Sequence, residues 1–416
     1  MTAPPVRESP ARTPTVDDVE FRALYKKTKY VVETADGWSL VITRYRPIPQ
    51  TFAQPLFGEP MLLVHGFCQN RHAWTSGEFV KNLLFFGIDI HILELRGHGK
   101  SSIELQHERA AKFGRKPPAD IEWDWDIDSY FLYDLPAAVA GVRRITRRDK
   151  IFYCGHSMGG MLGYGYAGIH QEQLEGIITI GAPAEIGKGS LALQLLAYAG
   201  PGISASVDAA LGSINLQRGV GQTLSRLASR FTRKEPIGQN KRQLAYRYLP
   251  LDDWLKAASD ALGYAEQSPV LSLVANRITW LTRWDRMSMA DMRWLLKEGG
   301  EKEPRKVVDQ FLRWIRGMEV VCYRTGYDFQ RGFSKFKLPM AIIFGDMDPL
   351  ASLASTRSVY RAARSEYLLW RPVKGNSHIE LTMGHDIRQI CYDIKNLIEY
   401  ARTHRARSPS LPRVQD

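Results

Sequence analysis

The chain has 416 residues, of which 44% are hydrophobic and 24% charged, so it can form one large globular domain with an added module or two domains. Its 56 basic and 44 acidic residues give a formal net charge of +12, but no nucleic-acid-binding motif accompanies that charge. The four cysteines are widely spaced and form no metal-like pattern, which argues against a disulfide framework and favours a reducing compartment.

The two ends of the chain differ in composition from the rest. Residues 1–20 are rich in Pro, Thr and Arg without an apolar core of signal-peptide length, and we expect a flexible leader there. Residues 404–416 are rich in Arg, Pro and Ser and are predicted to be disordered. The sequence contains no run of about 18 apolar residues, so it predicts no membrane span. We therefore expect a cytoplasmic location, with peripheral membrane contact as the alternative.

The first half of the chain alternates between apolar strands and helices. An Asp-Gly turn at 36–37 predicts an antiparallel hairpin between strands 30–34 and 38–45. Continuous apolar runs predict further strands at 60–64, 88–94, 151–154 and 176–181. Helices are predicted between them at 74–86, 129–145 and 158–170. This alternation predicts a mostly parallel sheet with helices on both faces.

From about residue 183 to residue 337 the alternation stops and the sequence becomes basic and helical. Buried strands resume at 338–344 and 366–370, and an amphipathic helix is predicted for 386–403. The helical stretch is therefore predicted to be an insertion between two strands of one sheet.

The motif that carries chemistry, Gly155-His156-Ser157-Met158-Gly159, directly follows the apolar run at 151–154. Gly-x-Ser-x-Gly between a strand and a helix is typical of a nucleophile elbow. Side chains at Gly155 or Gly159 would collide with neighbouring backbone, and Ser157 would be strained so that its hydroxyl is exposed. The first N–H groups of the following helix would face a developing oxyanion. The competing interpretation is an ordinary turn with a capping serine.

A serine hydroxyl is inert at neutral pH and needs an adjacent base. His378 is the candidate base, because it follows a polar loop at a strand end and precedes the last helix. His385 is the competitor, at a position more typical of a surface or capping residue. Asp346 and Asp348 both follow strand 338–344, and either could hold the imidazole tautomer.

Taken together, these motifs resemble those of the α/β-hydrolase-fold serine hydrolases. The segments that carry the resemblance each follow a predicted strand: His65-Gly66-Phe67, Arg96-Gly97-His98-Gly99, the elbow, Gly345-Asp346-Met347-Asp348 and Asn376-Ser377-His378. The resemblance covers residues 28–185 and 336–403 but not the insertion. A narrower one, to the acid lipase and steryl-ester hydrolase branch, rests on Trp123-Asp124-Trp125-Asp126, Tyr130 and Tyr133-Asp134-Leu135-Pro136-Ala137.

The resemblance implies an α/β-hydrolase fold with a core at 21–185 and 336–403 and a large, mostly helical cap at 186–335. It implies Ser157 as nucleophile, His378 as base and Asp348 as acid, because family spacing places the acid three residues after the glycine of the loop. The backbone N–H groups of Phe67 and Met158 would form the oxyanion hole. His65 would orient that loop by hydrogen bonding. No cofactor or metal is implied.

The expected reaction is hydrolysis of a small-molecule or lipid carboxylic ester through an acyl-enzyme, as in lipases and esterases. The same triad serves thioesterases, acyltransferases and peptidases, and the sequence does not separate them. Ser157 argues against dehalogenases, which need Asp at the elbow, and polyester synthases, which need Cys. A non-catalytic binding module on the same fold is the alternative from a different class.

Three further patterns have simpler interpretations. Gly163–Gly168 matches GxGxxG but lies inside a predicted helix, so close packing is favoured over a dinucleotide site. Arg96-Gly97-His98-Gly99 has no second ligand cluster and does not predict a metal site. A basic run beside leucines at helical spacing is expected to be a solvated cap face, with docking on anionic lipid as the alternative. That run comprises Arg218, Arg226, Arg230, Arg233, Lys234, Lys241, Arg242 and Arg247.

Apolar and aromatic residues of the insertion are expected either to shape an acyl pocket or to form the core of the cap. They are Trp280, Trp284, Met287, Met289 and Trp294.

Overall fold

A computed structural model of the protein describes residues 14–191, 193–195, 197–198, 247–265 and 281–405. Its strands are β1 (Tyr25–Glu33), β2 (Ser39–Pro47), β3 (Pro60–Val64), β4 (Asp89–Glu94), β5 (Ile151–His156), β6 (Leu174–Ile180), β7 (Tyr248–Leu249), β8 (Glu303–Pro304), β9 (Val321–Cys322), β10 (Tyr327–Asp328), β11 (Met340–Gly345) and β12 (Leu368–Val373).

Eight of these strands form one sheet in the order β1-β2-β4-β3-β5-β6-β11-β12. β2 is antiparallel to both of its neighbours, and the pairs from β4 to β12 are parallel. Every residue of β3, β4, β5 and β11 is buried, as their continuous apolar runs predict. The predicted mostly parallel sheet is confirmed, and the carboxyl ends of its central strands meet at one edge.

The helices of the described ranges are α1 (His72–Thr75), α2 (Phe79–Phe85), α3 (Ile103–Lys112), α4 (Ile127–Ser129), α5 (Leu135–Thr146), α6 (Met158–His170), α7 (Leu251–Ala265), α8 (Met289–Glu298), α9 (Arg305–Gly317), α10 (Phe329–Gly332), α11 (Leu353–Ala362) and α12 (Ile387–Arg405). A π-turn at Tyr130–Asp134 joins α4 to α5. Short 3-10 turns lie at Val16–Asp18, Phe21–Leu24, Gln171–Gln173, Trp284–Arg286, Phe333–Lys335 and Ile379–Thr382. None of these helices is both long and apolar enough to cross a bilayer.

Two predicted helices differ from the structure in how they are divided. The helix expected over 74–86 is split into α1 and α2 around Gly77, where an added Cβ would lie 2.8 Å from the Cα of Met383. The helix expected over 129–145 begins with the π-turn, and Pro136 lies in the first turn of α5. The π-turn lies just before this proline, whose ring would otherwise crowd the carbonyl four residues earlier in a regular helix.

Helix α6 spans the predicted residues and packs closely on its neighbours through its glycines. An added Cβ would lie 2.4 Å from the ring of Tyr153 at Gly163 and 2.6 Å from the ring of Phe329 at Gly165. These distances are shorter than any real contact, so the GxGxxG match reflects close helix packing.

Parts of several predicted segments lie outside the described residues. They are residues 1–13 of the leader, residues 406–416 of the tail, Trp280 and the basic run from Arg218 to Arg242. Of the described parts, residues 14–20 include a 3-10 turn in which Asp17 pairs with Arg388. Arg247, the last member of the basic run, lies 2.9 Å from the carboxylate of Glu122.

A fully buried arginine joins several loops beneath the sheet edge. The Arg96 guanidinium, directly after β4, lies 2.6 Å from Asp134, 2.7 Å from Asp36 and 2.9 Å from Asp120. The side chains of Arg96 and Asp134 are both fully buried. Burial raises the pKa of Asp134, and the adjacent guanidinium opposes that shift. Arg96 and Asp134 therefore keep their charges in the interior only as a pair.

We expect Arg96→Met to lower the free energy of unfolding by about 3–5 kcal/mol, because it leaves Asp134 buried without its cation. Arg247→Met breaks an ion pair whose two side chains are 44% and 64% exposed. It should lower that free energy by less than about 1 kcal/mol. Urea denaturation followed by circular dichroism measures the free energy of unfolding of both variants. Equal losses would contradict the conclusion that Asp134 depends on Arg96 for its buried charge.

Candidate active site

The elbow after β5 depends on close contact between backbones. Ser157 has φ 52° and ψ −121°, a conformation that is strained for a residue with a side chain. An added Cβ at Gly155 would lie 2.4 Å from the carbonyl carbon of Gly159. One at Gly159 would lie 2.3 Å from the carbonyl oxygen of Val64, the last residue of β3. Only glycine fits at these two positions, and Ser157 is carried at the start of α6.

The structure brings Ser157, His378 and Asp348 together from three separate parts of the chain. Nε2 of His378 lies 2.9 Å from Oγ of Ser157, and its Nδ1 lies 2.8 Å from Oδ2 of Asp348. The other oxygen of Asp348 accepts hydrogen bonds from the backbone N–H groups of Leu350 and Ala351 at 2.8 and 2.9 Å. Because an ionised carboxylate can only accept a hydrogen bond, Nδ1 carries the proton of the neutral imidazole. Nε2 is then unprotonated and faces the serine hydroxyl.

The two competing residues lie elsewhere. Asp346 is exposed, and its carboxylate accepts a hydrogen bond from the N–H of Gly375 at 2.7 Å. His385 is exposed as well, and its backbone N–H donates to the carbonyl of Arg286 at 2.9 Å. The structure therefore places Asp348 and His378, rather than these two, beside Ser157.

The loop after β3 passes directly beside the nucleophile. An added Cβ at Gly66 would lie 2.9 Å from Cβ of Ser157. Nδ1 of His65 donates to the carbonyl of Gly66 at 2.9 Å, and its Nε2 accepts from the N–H of Leu95 at 3.2 Å. Burial lowers the pKa of His65 to about 3, so the ring is neutral with one fixed tautomer. Because the Gly66 carbonyl and the Phe67 N–H belong to one peptide, this bond sets the direction of that N–H.

Sequence reasoning gave no role to His156, the residue before the nucleophile. Its Nδ1 lies 3.2 Å from Oε1 of Gln69, and its Nε2 lies 3.3 Å from the carbonyl oxygen of His378. Burial lowers the pKa of His156 to about 3. Its ring thus lies between the loop after β3 and the loop that carries His378. The available signal was its position inside the elbow, as a polar residue at the end of an apolar strand.

A cavity of about 410 Å³ opens from Ser157 and His378. Its remaining wall is mostly apolar and comes largely from the insertion, through Leu255, Leu281, Met292, Leu295 and Leu296, while Leu350 and Ile379 come from the core. The described lining includes no Lys, Arg, Asp or Glu. A larger cavity of about 700 Å³ lies at the amino ends of the strands, has many charged residues in its lining and contains none of the candidate site residues.

The pocket residues differ from those expected for the insertion. Met287 is buried in an apolar cluster that also contains Met292 and Leu295, and the rings of Trp294 and His72 make an edge-to-face contact with centroids 4.3 Å apart. On α8, the side chains that line the cavity are those of Met292 and Leu295, not that of Trp294. Composition cannot reveal which face of a helix points towards the core.

Two segments of the insertion hold the loops of the site. The carbonyl of Leu281 accepts from the N–H groups of His378 and Ile379 at 3.2 and 3.1 Å. On the other side, Gly300 pairs with Gln69 in an antiparallel bridge. Helix α8 runs between these two attachments and lines the cavity on the way.

No cluster of three or more His, Cys, Asp or Glu side chains suited to a metal ion occurs within the ranges given above. His98 of the Arg-Gly-His-Gly segment lies 3.1 Å from the carboxylate of Glu303.

Comparison with known proteins adds three similarities. The chain is 27% identical over 150 residues to the lipase lipl-1 of Caenorhabditis elegans, covering 35% of each chain. It is 29% identical over 150 residues to triacylglycerol lipase 2 of Arabidopsis thaliana, covering 34% of this chain and 33% of the relative. The match thus spans about a third of the length of these relatives. A solved structure of DcsB with its substrate analogue superposes with a TM-score of 0.51 at 11% identity, covering 90% of this chain and all 100% of the other, and shares the fold.

The model of one family, described as the alpha/beta hydrolase fold, matches residues 59–378. That range includes the loop after β3, the elbow, the insertion and both His378 and Asp348. Since it covers well over half of the sequence, the chain belongs to the α/β-hydrolase-fold family.

Proposed function

We propose that this protein is a serine hydrolase that cleaves carboxylic esters through an acyl-enzyme. The observation that carries the proposal is the hydrogen-bonded series from Ser157 to His378 at 2.9 Å and on to Asp348 at 2.8 Å. This series lies at the mouth of an apolar cavity. The similarity to two lipases, over about a third of their length, supports the same reaction class.

In the acylation step, Oγ of Ser157 attacks the ester carbonyl carbon while Nε2 of His378 takes the hydroxyl proton. Asp348 then faces an imidazolium, whose charge it stabilises. The tetrahedral intermediate collapses, and His378 returns the proton to the leaving alkoxide. The first product is an alcohol, and the acyl group remains on Ser157.

Deacylation repeats these proton transfers with water as the nucleophile. His378 takes a proton from the attacking water and later gives it to Oγ of Ser157. The carboxylic acid is released and the serine is restored. Asp348 keeps its orientation throughout, because its second oxygen is held by the N–H groups of Leu350 and Ala351.

The oxyanion of both intermediates would be stabilised by the N–H groups of Phe67 and Met158. Within the described residues, neither of these two N–H groups donates a hydrogen bond to another backbone group. The Met158 N–H is the first of α6, at the positive end of the helix dipole. Fixed donors of this kind are worth several kcal/mol when they face developing charge.

The cavity favours an ester with an apolar acyl group. Among the described residues, its lining is aliphatic apart from a few side chains near Ser157 and contains no charged side chain that could pair with a substrate carboxylate. Burying an unpaired charge in such a site is strongly unfavourable. Thioesters and anilides use the same triad and belong in the same substrate panel. Catalysis, rather than ligand binding alone, is favoured by a base aligned on the Ser157 hydroxyl.

We expect Ser157→Ala to lower kcat towards a short p-nitrophenyl ester by about a million-fold, because no other group can form the acyl-enzyme. Labelling by a fluorophosphonate probe should disappear in the same variant. Ser358→Ala, a serine of α11, is the matched control and should keep both properties. Activity or labelling retained without Ser157 would refute the nucleophile assignment.

Asp348→Asn should lower kcat by about 10⁴-fold, since the amide no longer holds the productive tautomer of His378. Asp346→Asn makes the same change two residues away on an exposed side chain and should alter kcat by less than about twofold. Steady-state kinetics with one ester decides between the two carboxylates. If the larger loss followed the change at Asp346, the acid would be reassigned.

We expect p-nitrophenyl butyrate to exceed p-nitrophenyl hemisuccinate in kcat/KM by more than about 100-fold, because the hemisuccinate would bring an unpaired carboxylate into the apolar cavity. Each methylene added from acetate to butyrate should raise kcat/KM by up to about fourfold. Leu296→Lys puts a cation into the partly exposed side of this wall, where it can pair with the hemisuccinate carboxylate. This variant should therefore lower the ratio of kcat/KM for butyrate to kcat/KM for hemisuccinate. Equal use of the two esters by the unmodified protein would show that the acyl group binds elsewhere.

A further inference from the structure

We propose that Glu303, from the insertion, is a positioning residue of the oxyanion hole and acts together with His65. The inference rests on the proposed function, since it concerns the loop whose Phe67 N–H would face the oxyanion. Glu303 lies in β8, which is 235 residues downstream of Cys68, and its side chain is fully buried. It touches neither Ser157 nor the substrate cavity and acts only through the backbone of the loop.

Each oxygen of the Glu303 carboxylate has partners on the core. Oε1 accepts from the N–H of Cys68 at 2.7 Å and lies 3.1 Å from Nε2 of His98. Oε2 accepts from the hydroxyl of Tyr130 at 3.3 Å. Trp125 in turn donates its Nε1–H to that hydroxyl at 2.9 Å. The Arg-Gly-His-Gly segment and the Trp-Asp-Trp-Asp segment thus converge on one carboxylate.

The loop needs such support because its backbone is strained. Cys68 has φ 50°, in the left-handed region, which is unfavourable for a residue other than glycine. A residue held there costs about 1 kcal/mol or more and keeps that conformation only when its surroundings impose it. The same segment that carries Glu303 also holds the other end of this residue, because the N–H of Glu301 donates to the Cys68 carbonyl at 2.9 Å.

The two peptides on either side of Phe67 are therefore each fixed by one hydrogen bond. His65 holds the Gly66 carbonyl, at 2.9 Å, and Glu303 holds the Cys68 N–H, at 2.7 Å. With both planes fixed, the backbone dihedrals of Phe67 are fixed as well, and so is the direction of its N–H. Removing the Glu303 carboxylate frees the second plane and lets the loop relax away from Cys68's strained conformation.

The ring that faces this carboxylate is positively charged. Glu303 raises the pKa of His98 to about 9, against the opposing effect of burial, so the ring is protonated at neutral pH. The pair is neutral as a whole, which allows its complete burial. A hydrogen bond from a backbone N–H to a charged oxygen is shorter and stronger than one between neutral groups.

The test compares Glu303→Leu, which removes the acceptor, with Glu303→Gln, which keeps an oxygen of the same reach. Steady-state kinetics with p-nitrophenyl butyrate gives kcat and KM, and an alkyl trifluoromethyl ketone reports on the oxyanion hole through its tetrahedral adduct with Ser157. Loss of one oxyanion donor typically costs about 10²–10³-fold in kcat, so displacing one should cost about 10–100-fold. We expect that loss for Glu303→Leu, an equal rise in the inhibition constant of the ketone, and a KM within about twofold.

Glu303→Gln should lower kcat by only about three- to fivefold, since its amide oxygen still accepts from Cys68 but, being neutral, binds the N–H more weakly than a carboxylate does. Gln310→Leu is the matched control, because Gln310 is a buried residue of α9 that accepts from the N–H of Ile127 at 3.0 Å and donates to Asp128 at 2.6 Å. It loses contacts between the insertion and the core without touching the loop, and its kcat should stay within about twofold.

The proposal is overturned if Glu303→Leu keeps its kcat and its affinity for the ketone, if only KM changes, or if Gln310→Leu loses as much as Glu303→Leu. Should Glu303→Leu not fold, Glu303→Gln decides: a matched loss of threefold or more in kcat and ketone affinity supports the proposal, and unchanged values overturn it. Failure of the proposed function is distinct, because the unmodified protein would then neither cleave the ester nor react with the fluorophosphonate.

Discussion

The site depends on the contact between two stretches of backbone at the elbow. Because Gly159 has no side chain, the first turn of α6 rests against the carbonyl of Val64 at the end of β3. The loop that continues from β3 is therefore held beside the nucleophile, and Gly66 approaches Ser157 within the reach of one added carbon. One steric requirement thus fixes both the strained serine and the position of the neighbouring loop.

The parallel sheet supplies the other two groups from a distance. β5 lies between β3 and β6 in its interior, and β11 and β12 follow on one side, so the loops after these strands open at the same edge. Asp348 comes from the loop after β11 and His378 from the loop after β12. Strands buried over their whole length leave little freedom in where those loops begin. The alignment of base and acid is thus a property of the sheet as much as of the loops.

What could be predicted was local in sequence. The elbow glycines, the apolar strands and the spacing from Gly345 to Asp348 are each contained within a few residues. What could not be predicted depends on pairings between distant segments. The bridge from Gln69 to Gly300 has no sequence signature, and the pocket face of α8 becomes known only when its partner is known. Met287 and Trp294 show this, since the sequence left open whether they line a pocket or form the core of the cap, and only the structure places Met287 in an apolar cluster and Trp294 against His72.

Three histidines near the loop after β3 differ in charge because their partners differ. His65 and His156 have backbone or amide partners, and burial lowers the pKa of each to about 3. His98 faces the carboxylate of Glu303, and its pKa is raised to about 9. An unpaired carboxylate next to the loop would repel an oxyanion formed there. The proton on His98 offsets the charge of Glu303, and the loop keeps a strong acceptor for the N–H of Cys68.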